Sequence, residues 1–224
     1  MPDLHILFED NHLIAVNKRP GMLVQGDITG DIPLSELVKD YIKEKYNKPG
    51  AVFLGVVHRL DRPVSGVVVF ARTSKSLERM NELFRNRETE KIYNAIVHGK
   101  PAKASDTLIH WLTKDESKNK TTAYKKENPD GLRSELSYQL VNHSKNLSLL
   151  EVYPVTGRPH QIRVQLASIN TPIVGDLKYG APEPTDDASI CLHASKLRFV
   201  HPVRKEEITI EAAFPKNRFW EAFT

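Results

Sequence analysis

Short apolar runs separated by polar turns dominate the chain, and twice in its first half the spacing changes to that of an amphipathic helix. Leu4–Phe8 and Leu13–Asn17 are β-rich runs around Glu9-Asp10-Asn11-His12, which predicts two strands joined by a turn. Leu34, Leu37, Val38, Tyr41 and Ile42 then fall on one helical face. Asp31-Ile32-Pro33 predicts the start of that helix, with an acidic cap and proline in the first turn, and Lys48-Pro49-Gly50 predicts its stop. Val52–Val57 and Gly66–Ala71 are continuous valine-rich runs, as expected of strands buried on both faces. A second helix, capped by Thr73-Ser74, carries the stripe Leu77, Met80, Leu83 and Phe84, which reads as core.

In the second half Lys91–Gly99 alternates as a strand, with Tyr93, Ala95 and Val97 on one face. Leu108–Leu112, Ser134–Val141 and Leu147–Tyr153 predict antiparallel strands, whereas Lys114–Lys126, rich in lysine, asparagine and threonine, reads as a loop. Ile162, Leu166 and Ile169 recur at helical spacing, and Thr156-Gly157 suits the start of that helix, whose free amides would favour negative charge. Thr171–Gly180 reads as loop architecture, and Ile208–Ala213 as a closing strand. There is no repeat, low-complexity stretch or Gly/Ser linker, so the expectation is one compact unit over residues 1–224.

Charge changes this picture little: 32 basic against 28 acidic residues give a net +4 and a pI near 9.0, which permits a polyanionic partner without demanding one. The lone cysteine, Cys191, excludes an internal disulfide and fits a reducing compartment, and no Cys/His cluster has zinc spacing, so no metal or other cofactor is expected. No apolar run has membrane-spanning length, and the opening MPDLHILFEDNHL is acidic where a signal peptide is basic. A cytoplasmic protein without membrane contact, by default a monomer, is the expectation.

Chemistry concentrates in His58-Arg59-Leu60-Asp61-Arg62-Pro63-Val64-Ser65-Gly66, which sets a carboxylate between two arginines in the turn before a buried strand. Nearby cations keep an aspartate ionised, and an ionised carboxylate serves as nucleophile or base. A loop aspartate in a surface salt bridge has the same pattern. Other groups are equally two-sided. Lys18, in Asn17-Lys18-Arg19-Pro20-Gly21-Met22-Leu23-Val24, is either a phosphate contact or a solvated lysine; Arg79, Arg85 and Arg87 either face phosphate or, more in keeping with their spacing, form a solvated basic face; Tyr93 suits half-buried packing; His193 reads as a core histidine.

Taken together, these strings resemble the RluA family of pseudouridine synthases. HRLDRPVSG is similar to the family's HRLD-x-x-(T/S)SG segment, with Val64 in place of the more usual threonine; the Lys18 segment resembles N-K-P-x-G-(L/M)-x-V with Arg19 inserted. Lys91–Gly99 is similar to KxYxAxVxG, and Thr156-Gly157-Arg158-Pro159-His160-Gln161-Ile162-Arg163-Val164-Gln165-Leu166 to TGR-x-HQ-(I/L)-R-V-H-(L/M), from which Pro159 and Gln165 depart. Pro172–Gly180 resembles PIxGDxxYG, and Leu192–Pro202 resembles LHA-x-x-L-x-F-x-HP. The likeness runs from about Val16 to Pro215.

The resemblance implies an α+β fold, a single catalytic domain around a central, mostly antiparallel mixed sheet with flanking helices and a cleft across it. It implies isomerisation of uridine in structured RNA, either rRNA or tRNA, with Asp61 starting the reaction, Tyr93 stacking on the uracil and Arg163 pairing with Asp61. Arg59 would fill the gap left by a flipped base, with His58, Arg62, Lys18, Arg158, His160 and Gln161 as further RNA contacts, and Lys114–Lys126 as an RNA-facing or simply solvated loop. Many relatives carry a small RNA-binding domain ahead of the catalytic unit; this chain is expected to be the short form without it. The rivals are a non-catalytic RNA-binding protein on the same scaffold and a carboxylate-dependent hydrolase, for which Asp176, in an expected structural turn, is the nearest second carboxylate.

Overall fold

A computed structural model describes residues 4–223; Met1-Pro2-Asp3, part of the acidic opening, and Thr224 lie outside the described residues. In chain order the elements are β1 (Ile6–Glu9), β2 (Leu13–Lys18), α1 (Leu34–Lys45), β3 (Gly55–Val56), β4 (Ser65–Ala71), α2 (Ser74–Asn86), β5 (Glu90–His98) and β6 (Ser105–Asp115). They continue with β7 (Lys120–Tyr124), β8 (Leu132–Ser144), β9 (Leu147–Pro154), α3 (Gln161–Ala167), a 3-10 turn (Leu177–Tyr179), β10 (Leu192–Val200), β11 (Glu207–Glu211) and α4 (Arg218–Glu221). The fold is α+β. The described chain forms two compact units, one running to Glu90 and resumed by Ala194–Phe214, the other comprising Lys91–His193 and the residues from Pro215 on.

In the first unit β2 and β4 are buried along almost their whole length, which is why their sequences are apolar at successive rather than alternate positions. They pair antiparallel, from Leu13 opposite Ala71 to Lys18 opposite Gly66, and β1 adds to the far edge of β2. Only Gly55 and Val56 of the expected Val52–Val57 strand pair, with Ala71 and Phe70. Leu13, Ala15, Val67, Val69, Met80, Leu197 and Phe199 form one cluster, to which Leu77, Leu83 and Phe84 of α2 add the stripe read from the sequence. Thr73 caps α2 by accepting the Ser76 amide, as its sequence predicts. The acidic cap predicted for α1 is not formed: the cap position is Pro33, with no side-chain bond, and Asp31 instead meets Arg62.

In the second unit the strands run β5, β9, β8, β6, β7, each pair antiparallel. Lys114–Lys126, expected to be a loop, is largely a hairpin: Thr113 faces Thr122 and Asp115 faces Lys120 around a turn at Glu116–Asn119. Its inward positions, Thr121 and Ala123, carry too little apolar surface to show a period of two. Helix α3 starts at Gln161, five residues after Thr156. The intervening residues are locked by Gln161 itself, whose Oε1 accepts from Thr156 Oγ1 at 2.8 Å and the Arg158 amide at 3.0 Å.

Gly66 lies inside β4, not in the turn before it, at φ +116°, and a Cβ there would sit 2.2 Å from the Ala194 carbonyl oxygen of β10. Only glycine tolerates both the conformation and the approach. Gly66→Ala is expected to lower unfolding free energy by about 2–4 kcal/mol, from backbone strain plus overpacking, read from urea denaturation.

Candidate active site

The loop from His58 to Val64 joins β3 to β4, and its shape is set by backbone bonds to the segment after β2. The Val64 amide donates to the Asp61 carbonyl at 3.0 Å, closing a turn on the aspartate. The Gly21 amide donates to the Arg62 carbonyl at 2.8 Å, and Arg62 Nε returns a bond to the Gly21 carbonyl at 3.0 Å. Beneath these lies Lys18, with 0% exposure, whose Nζ donates to the carbonyls of Arg19, Met22 and Arg62 at 3.2, 2.9 and 3.1 Å. An ammonium has three donors, and here each has an acceptor.

Lys18 ends β2 opposite Gly66, so the strand register itself delivers the cation under the loop. Burial pulls its pKa down to about 7, while the Asp61 carboxylate pulls the other way. Arg62, expected beside Asp61, turns its guanidinium outward to Gly21 and to Asp31, with Nη2 2.7 Å from Oδ2. Asp61 is half-buried and Arg59 exposed. His58 turns inward: its ring stacks on Phe84 at 5.0 Å, and Nε2 accepts the Val69 amide at 3.0 Å, which makes that nitrogen unprotonated.

In the second unit Tyr93 is half-buried on β5, opposite Val152 of β9. Arg163, 5% exposed on α3, makes a two-point pair with Asp176, which is 1% exposed: Nε to Oδ2 at 2.7 Å and Nη2 to Oδ1 at 2.9 Å. The Tyr179 ring lies against the guanidinium at 5.1 Å. Tyr179 Oη accepts the Thr121 amide at 2.8 Å and shares a hydrogen bond of 2.8 Å with His160 Nδ1. Burial raises the Tyr179 pKa and keeps the phenol neutral. Gln161, 3% exposed, is bound to Thr156, the Arg158 amide and the Glu135 carbonyl, while Arg158 itself is exposed.

The two units thus each assemble part of the expected set: His58, Arg59, Asp61, Arg62 and Lys18 in one, Tyr93, Arg158, His160, Gln161 and Arg163 in the other. Asp176 and Tyr179 are functional candidates that the pattern alone left as turn residues; their signal is that a buried arginine needs a carboxylate from somewhere in its own unit. His193, at 0% exposure, packs edge-on to Trp220, as a core histidine does. Among the described residues no three His, Cys, Asp or Glu side chains come together as metal ligands, and none of the helices is long and apolar enough to cross a membrane.

The sequence pattern described as RNA pseudouridylate synthase matches residues 12–168, which include the whole Asp61 loop, Tyr93 and Arg163. The chain belongs to the RNA pseudouridylate synthase family. It is 34% identical over 215 residues to a ribosomal large subunit pseudouridine synthase C of Buchnera aphidicola, covering 92% of this chain and 66%, just under two thirds, of that protein. It is 32% identical over 236 residues to a tRNA pseudouridine synthase C of Vibrio cholerae, covering 97% and 93%. The human RNA pseudouridylate synthase domain containing 4 has the same fold, with a TM-score of 0.79 and 24% identity over 95% of this chain and 89% of that one. In this member of the family the unusual Arg19 costs the lysine nothing: Lys18 binds the Arg19 carbonyl itself.

Replacing Lys18 by methionine takes a donor from three carbonyls, of which that of Arg62 keeps the Gly21 amide, and is expected to cost about 2–4 kcal/mol near pH 7. Because the folded pKa of about 7 lies below the ordinary 10.5, the unfolded chain binds the extra proton between those values. Wild-type stability relative to Lys18→Met therefore rises with pH across that window, by up to about 1.4 kcal/mol per pH unit. Urea unfolding of both proteins at pH 7, 8 and 9 checks the sign.

Proposed function

We propose that the chain is an RNA pseudouridine synthase that isomerises specific uridines in structured rRNA or tRNA. The observation that carries this is the family match over residues 12–168 with an aspartate, Asp61, in the half-buried loop of the HRLD segment. The reaction breaks the bond between ribose C1′ and uracil N1, turns the base and joins C1′ to C5. The proton displaced from C5 is released, so no oxidant, reductant or water is consumed. Asp61 starts it, either attacking the sugar or removing a proton; Lys18 supplies a cation beneath its loop.

In this reading the chain is a single catalytic domain, with Tyr93 stacking on the uracil and Arg163 orienting Asp61. A uridine inside a stem or stacked loop must first be flipped out, at a cost of a few kcal/mol. Arg59 is suited to fill the gap because it is exposed on the same loop as Asp61 and a guanidinium stacks on base faces. Arg158, also exposed, is suited to phosphate. Lys18, His58 and Gln161 serve the substrate indirectly, since each is committed to a bond that shapes a loop. Nothing in this scheme needs a second subunit or a membrane, and we assign the enzyme to the cytoplasm as a monomer.

Tritium release from RNA labelled at uridine C5 tests this, with rRNA and tRNA assayed separately. The wild type is expected to release tritium from one class, and Asp61→Asn to lose turnover while keeping RNA affinity within about 3-fold, as for a group that acts in the transition state. Tight RNA binding by both proteins with no release from either would mean a non-catalytic RNA-binding protein.

A further inference from the structure

Arg163 stands in the first turn of α3, and Asp176 precedes the 3-10 turn Leu177–Tyr179. The carboxylate takes the side-on edge of the guanidinium through Nε and Nη2, at 2.7 and 2.9 Å. Tyr179 covers one face at 5.1 Å, and its hydroxyl is pinned between the Thr121 amide and His160 Nδ1 at 2.8 Å each. Thr121 Oγ1 in turn donates to the Pro159 carbonyl at 3.0 Å, so the brace closes on the segment that leads into α3.

A guanidinium gripped along one edge and stacked on one face no longer turns about its terminal bonds. Its second in-plane edge, end-on through Nη1 and Nη2, then points in a fixed direction, and that edge is the one able to hold another carboxylate by two parallel bonds. A buried two-point ion pair is a poor way to gain stability, because desolvation of the two charges offsets much of their attraction. What it does supply is orientation.

We infer that Asp176 is a positioning residue for the reaction, fixing the direction in which Arg163 presents its end-on edge. The inference rests on the proposed pairing of Arg163 with Asp61. It gives the Gly175-Asp176 segment a role in catalysis through another side chain, where the sequence suggested only a turn. Gly175 permits that role by its conformation, φ +84°, and by a Cβ-free approach to the Ser189 carbonyl.

Single-turnover tritium release at saturating RNA, RNA affinity by filter binding and thermal unfolding, measured on wild type, D61N, R163M, D176N, D176E and R163M/D176N, test it. Asp176→Asn is expected to slow the single-turnover step about 100-fold, and Asp176→Glu, which displaces the grip by one methylene, about 10-fold, both with RNA affinity within about 3-fold. R163M/D176N is expected to be no slower than R163M, because an effect carried by the arginine disappears with it. Multiplied losses in the double variant, or Asp176→Asn and Asp176→Glu rates within about 3-fold of wild type, overturn the inference. If Asp176→Asn does not fold, Asp176→Glu decides: a slowed step at unchanged melting supports the role, and a wild-type rate ends it. Failure of the broader reading has a different signature. A wild type that releases no tritium from either RNA class, or an Asp61→Asn variant that does, removes the activity itself. Active wild type and inactive Asp61→Asn, with the Asp176 variants at full rate, remove only the role of Asp176.

Discussion

A buried cation has to be answered within reach, and the geometry of both units follows from how that is done. In the first unit the answer to Lys18 is three backbone carbonyls, two from the segment after β2 and one from Arg62 of the loop between β3 and β4. In the second it is a carboxylate, Asp176, for Arg163. Leaving either cation unanswered would cost several kcal/mol, so neither the Asp61 loop nor the approach to α3 has much freedom to drift. Rigidity around these two segments is a by-product of solvating charge without water.

The two answers differ in kind. Carbonyls are neutral, so Lys18 keeps its full charge next to Asp61 as long as it is protonated, and burial, with the Arg62 charge behind it, works against this. A carboxylate is charged, so Arg163 enters any further pairing with its charge already answered by Asp176.

Much of this was legible in the sequence where apolar side chains carry the signal. The stripe of α2 and the unbroken run of β4 face a core, and burial translates directly into spacing. The Asp61 loop was legible through the motif. What escaped was organised by hydrogen bonds between residues distant in the chain. The β6–β7 hairpin is polar on its outer side and holds its place through Thr121, which binds Tyr179 and Pro159 some forty to sixty positions away. The start of α3 moved because Gln161, not Thr156, organises the bend ahead of it. Adjacency sets Asp61 between Arg59 and Arg62, whereas the pairing of β2 with β4 brings Lys18, more than forty positions away, beneath the same loop. Sequence distance hides such contacts because a polar residue looks the same whether it faces water or an internal partner.

The division of the chain has a consequence for how the molecule is made. The first unit is discontinuous: everything up to Glu90 waits for Ala194–Phe214, and the whole of Lys91–His193 lies between. On a ribosome, β4 and α2 emerge long before β10, so the edge of β4 that β10 will occupy and the apolar positions that Leu197 and Phe199 will fill stay open for most of synthesis. Closing so long a loop is slow rather than costly at equilibrium, since the entropic cost grows only with the logarithm of length. The period of exposure, more than the final stability, is where a chaperone or an aggregating neighbour would find its opportunity.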